Sequence, residues 1–70
     1  MVDIYKYTVR ITDIKANFEI DYLVTDNPGP FAVRVIREDF EFTYCKHLDN
    51  TKSEVYNGDE LVAVVEIFER

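Results

Sequence analysis

The sequence predicts an α+β fold: a single sheet of ββαβ(β)β order with one helix on one face. Three observations carry this reading. Two cleanly alternating runs open the chain. A proline-led segment with apolar residues at helical spacing follows them. The most apolar run, rich in β-branched residues, comes near the end. A small all-β barrel of five strands is the alternative, because the proline-led segment also reads as a strand.

The first run covers residues 3 to 12, with Tyr5, Tyr7, Val9 and Ile11 on one side and Lys6, Thr8, Arg10 and Thr12 on the other. Period-two alternation is the mark of a half-buried strand. Asp13-Ile14-Lys15 supplies the turn. The second run sets Phe18, Ile20, Tyr22 and Val24 inside and Asn17, Glu19 and Asp21 outside. As a hairpin, the two place Lys6 and Arg10 across from Glu19 and Asp21, and such pairs add a few tenths of a kcal/mol each.

Asp26-Asn27-Pro28-Gly29-Pro30 breaks the alternation. Read as a helix, the next segment has Asn27 as N-cap and Pro28 at the first helical position, where its missing N–H costs nothing. Phe31, Ala32, Val35, Ile36 and Phe40 then form one stripe, with Arg34, Arg37 and Glu38 outside. Read as a strand, Phe31, Val33 and Val35 face inward. The helix is favoured because a hairpin's aromatic face needs a cover and no other segment can supply one. Phe40, Phe42 and Tyr44, alternating with Glu41, Thr43 and Cys45, predict a third strand to about His47. Residues 48 to 54 read as a polar loop, and Val55-Tyr56 as a short strand or packing anchor. Asn57-Gly58 is a strong turn dipeptide before the final strand. There Leu61, Ala63, Val65 and Ile67 point one way, and Val62, Val64 and Phe68 the other. A strand apolar on both faces belongs in the middle of a sheet.

Seventy residues make one domain spanning 1–70, with no room for a second core. The apolar share of 47% supports a packed fold rather than disorder. The single cysteine, Cys45, excludes an internal disulfide. No apolar run approaches the roughly 20 residues of a membrane-spanning helix, and the first residues lack a signal-peptide pattern, so a cytoplasmic location is expected. Fourteen acidic against eight basic side chains give a net charge of −6. That balance opposes direct nucleic-acid binding, where basic patches supply most of the affinity, and permits attraction to a basic protein.

Candidate chemistry is thin. Cys45, His47 and Asp49 alternate and would share a face, but structural zinc wants four ligands, and a thiol nucleophile needs an oxyanion site and a pocket. Only Gly29 and Gly58 are available, too few for a phosphate-cradling loop. No catalytic, metal or cofactor residue is assigned, and a metal or thiol enzyme built on Cys45 and His47 is the least favoured reading. The favoured one is a non-enzymatic interaction module: an acidic inhibitor or modulator of a basic nucleic-acid-handling protein, of the phage or mobile-element type, imitating DNA phosphates. Its acidic surface would comprise Asp21, Asp26, Glu38, Asp39, Glu41, Asp59 and Glu60. The competing reading is a structural protein acting as a homodimer or larger homo-oligomer. It would self-associate through an apolar stripe of Leu23, Val62, Val64 and Phe68 on the face the helix leaves bare.

Overall fold

A computed structural model describes residues 4–70. Five strands and one helix follow in the order β1 (Tyr7–Asp13), β2 (Phe18–Val24), α1 (Pro28–Asp39), β3 (Tyr44–His47), β4 (Lys52–Asn57) and β5 (Glu60–Glu69). They form one open antiparallel sheet of spatial order β2-β1-β5-β4-β3 with the helix on one face. The α+β architecture expected from sequence is therefore the one observed, and the sheet does not close into a barrel. The apolar run of β5 is its middle strand, hydrogen-bonded to β1 on one side and β4 on the other.

Parity along β5 sorts the side chains into two environments. Ala63 and Val65 are buried beneath the helix with Val9, Ile11, Val24, Val55, Ala32, Val35 and Ile36. Val64 is half-buried and Phe68 is exposed on the opposite, outer face, whereas Val62, expected on that face, sits at the register shift between β4 and β5 and packs against the core. Tyr22 meets Phe31 edge-on at 5.3 Å between ring centroids, which ties the start of α1 to β2. Phe40 and Phe42 follow the helix as irregular chain and pack against the same core. This geometry is that of a two-layer domain whose single helix, about 10 Å wide, cannot span five strands about 4.8 Å apart.

Several local expectations are corrected. Tyr5 and Lys6 precede β1, and Asp3 lies outside the described residues. Arg10 does face Asp21 and Thr12 faces Glu19, but Lys6 lies beyond the strand and faces neither acid. Phe18 and Ile20 have the predicted parity yet are exposed, because α1 covers the other end of β2. Asn17 belongs to the turn, at φ 60°, and not to the second strand. Asn27 precedes the helix as expected, but at φ 49° it is left-handed and makes no side-chain cap; its carbonyl accepts from the Phe31 N–H at 3.3 Å. The third strand is only Tyr44–His47, and a bend at residue 43 reverses its parity relative to Phe40 and Phe42. Cys45 and His47 therefore share the helix side with Val55 and Ser53, their register partners, while Tyr44 stacks on Tyr56 on the outer face. The polar stretch Lys52-Ser53-Glu54 is strand rather than loop, since its outward residues face solvent and only Val55 must be buried. The β4–β5 turn is Gly58-Asp59, with Gly58 at φ 63°, one residue later than the dipeptide signal.

Candidate functional site: an acidic end and an open face

Five of the seven predicted acidic residues lie on two segments at the same end of the domain, the helix exit and the β4–β5 turn. Glu38 and Asp39 finish α1. Glu41 lies in the irregular chain that follows, two residues before the bend at Thr43. There the Thr43 N–H donates to the Tyr56 carbonyl at 2.8 Å, and the Gly58 N–H donates to Thr43 Oγ1 at 2.9 Å. These bonds dock the helix exit onto the β4–β5 turn, which carries Asp59 and Glu60. All five side chains are exposed.

The remaining two acids lie elsewhere. Asp21 sits on the outer face of β2, held by Arg10 through Nε at 2.8 Å and Nη2 at 3.1 Å. That paired hydrogen bond holds its carboxyl below the usual carboxylate range. Asp26 follows β2 at the opposite end of the domain and accepts the Asn27 N–H at 2.9 Å.

The helix terminus gives the acidic end an energetic signature. The C-terminal turn of a helix carries the negative end of its dipole, where cations stabilise and anions destabilise by about 0.3–1 kcal/mol each. Glu38 and Asp39 occupy that turn, Arg37 is its only cation, and the first turn holds no acid. Charge placed for helix stability alone would run the other way.

On the outer face, the four apolar stripe residues do not form one patch. Leu23 and Phe68 flank Thr8 in one cross-strand row. Val64 lies between Thr12 and Glu54 two rows away, and Val62, at the β4–β5 register shift, packs against the core instead. Between that pair and Val64 runs a row of alternating charge across four strands: Asp21, Arg10, Glu66, Lys52. The Arg10 guanidinium also lies 5.2 Å from the Phe68 ring centroid, a cation–π contact that covers part of the ring.

Cys45 and His47 share a face without contacting each other's polar atoms. His47 Nδ1 lies 2.8 Å from Ser53 Oγ, and partial burial pushes the Cys45 thiol up, opposite to the direction of an activated nucleophile. Asp49 is occupied in its turn, accepting the Thr51 hydroxyl and N–H at 2.7 Å each; those bonds, the hydroxyl first, lower its carboxyl. Among the described residues no three potential metal ligands cluster.

One feature escaped the sequence reading: a groove of about 860 Å³ between α1 and the β3–β4 wing. Its apolar lining includes Val33, Ile36, Phe42, Val55, Val65 and Ile67. The available signal was Val33, an apolar helical residue off the buried stripe and exposed in the fold. Among the described residues no helix is long and apolar enough to cross a membrane. Compared with protein-family models, curated proteins and solved structures, the chain matches none.

Proposed function

We propose that the protein is a non-enzymatic interaction module that docks through its acidic end on a basic surface of a nucleic-acid-handling protein and modulates it. The supporting observation is the gathering of Glu38, Asp39, Glu41, Asp59 and Glu60 around the helix exit and the β4–β5 turn. Two of these acids sit where they weaken the helix, so solubility alone does not account for their position. Five exposed carboxylates at one end of the domain present a negative surface, and a phosphate-binding protein meets it with the same lysines and arginines that it offers to phosphates.

The test compares the native chain with a neutralised variant carrying E38Q, D39N, E41Q, D59N and E60Q. Both are immobilised and challenged with a basic nucleic-acid-binding protein and with host extract. Retention by the native chain should fall steeply between low and physiological salt, because the screening length contracts from about 30 Å at 0.01 M to about 8 Å at 0.15 M. The variant should lose the basic partners altogether. Equal retention by both chains, or binding indifferent to salt, refutes the reading.

A further inference from the structure

We infer that the free edge of β2 is a second docking surface, which accepts an extended partner strand carrying Lys or Arg on the outer side and apolar residues on the helix side. This goes beyond the acidic end and uses different residues. Among the described residues the sheet has two edges, β2 and β3, and they differ in the features that normally protect an edge from pairing. β3 is four residues long and contains Lys46. β2 is seven residues long, pairs with β1 throughout without a bulge, and contains no Lys, Arg, Pro or Gly. It also carries three of the most exposed large apolar side chains: Phe18 at 50%, Ile20 at 43% and Leu23 at 51%. An added strand would satisfy the outward backbone groups of β2 and cover Phe18 and Ile20, which α1 leaves bare.

Charge selects the occupant. Residues directly opposite in a sheet share a face, so a second copy pairing antiparallel in full overlap would set Asp21 against Asp21 and Glu19 against Leu23. Sliding that pairing by two residues one way sets Glu19 against Asp21; sliding it the other way avoids an acid pair but restricts the overlap to residues 20–24 and leaves Phe18 uncovered. Like charges opposite one another destabilise a strand pair. Arg10 binds both Asp21 oxygens and lies 4.0 Å from Glu19, which reduces this repulsion, but it does so from the β1 side and leaves the positions on the free side of β2 open. A strand with basic residues opposite Glu19 and Asp21 meets no such repulsion, and it would complete around Asp21 the charge row that already runs through Arg10, Glu66 and Lys52.

The probe is a seven-residue peptide alternating lysine and valine, matched to the length of β2. Its controls are the same peptide N-methylated on alternate backbone amides, and an alternating glutamate–valine peptide. Amide shifts and hydrogen exchange are followed in the whole protein. The lysine peptide should slow exchange within residues 18–24, N-methylation should weaken binding at least tenfold, and the glutamate peptide should not bind. E19K, which gives up the Thr12 and Arg10 contacts of Glu19, should weaken the lysine peptide about tenfold while the native circular dichroism is retained. Undiminished binding of the methylated peptide overturns strand addition, as does absence of binding. Shifts confined to residues 38–41 and 59–60 also overturn it while leaving the acidic-end function standing. A dimer paired through β2 in the absence of peptide overturns the choice of occupant.

Discussion

Val64 and Val65 are neighbours in sequence and face opposite layers, so the same substitution at each measures how differently the two faces of the sheet are covered. Val65→Glu removes a buried valine beneath α1, worth about 2 kcal/mol of apolar burial, and leaves a carboxylate between Ile11 and Ser53 with no cation opposite it. An uncompensated buried charge adds about 3–5 kcal/mol. A domain of this length has only about 3.5–10 kcal/mol in total, so the variant should be largely unfolded. Val64→Glu gives up only the half-buried share of one valine, about 1 kcal/mol. Its new carboxylate stands directly opposite Glu54, which costs up to about 1 kcal/mol more. The sum of about 1–2 kcal/mol, at a urea slope near 1 kcal/mol/M, lowers the midpoint by about 1–2 M with the native circular dichroism retained. Urea titrations of both variants, with sedimentation of the native chain, make the comparison. Unfolding of Val64→Glu as severe as that of Val65→Glu would refute an open outer face; dissociation of a native oligomer by Val64→Glu would show a second copy covering it.

Three further outcomes are expected. The Arg10 contact holds Asp21 below its unfolded-chain value, so the stability it contributes is complete above that value and is lost as pH falls through the depressed folded one. Arg10→Leu should move the Asp21 carboxyl titration, read by NMR, upward toward the ordinary range; an unmoved midpoint sinks this account. Burial raises the Cys45 thiol, so alkylation at mildly alkaline pH should be slower than for a small thiol and should accelerate on unfolding; a rate at or above the small-thiol value would contradict it. Gly58→Ala introduces a side chain into open space but at φ 63°, so its cost is conformational, about 1–2 kcal/mol, whereas Asn17→Gly at φ 60° should be neutral or stabilising. Urea midpoints moving the other way would mean that these turns are not left-handed.

The elements that were legible in the sequence are those whose pattern one physical requirement dictates. Val9 and Ile11 alternate because β1 is covered on one side only, and Leu61 to Phe68 is apolar on both sides because β5 is central. Pro28 marks the first residue of α1 because only there is a missing N–H harmless. Less legible were the places where tertiary placement overrides local pattern. β4 was obscured because two of its three core-facing positions, Ser53 and Asn57, are polar, leaving Val55 alone as signal. The parity of Cys45 and His47 was read wrongly because the bend at residue 43 resets the alternation between Phe42 and Tyr44. The acidic end draws on two segments separated in sequence by the whole β3–β4 hairpin, and only the Thr43 bonds to Tyr56 and Gly58 place the chain after the helix beside the β4–β5 turn.

The position of β5 also sets the order in which the sheet can assemble. Each of the pairs β1–β2, β3–β4 and β4–β5 joins segments adjacent in sequence, and such hairpins close on a microsecond scale. The β1–β5 ladder is different: it joins Tyr7 to Glu69 and Asp13 to Ala63, across nearly the whole chain. It is the only strand pairing that unites the two halves of the sheet, and α1 has no continuous floor until it forms. During synthesis β1, β2 and the helix must therefore wait, with Val9, Ile11 and Val35 uncovered, until the residues that complete their layer have emerged. Registry between the β1–β2 hairpin and the β3–β4–β5 meander, rather than helix formation, is then the step expected to limit the folding rate.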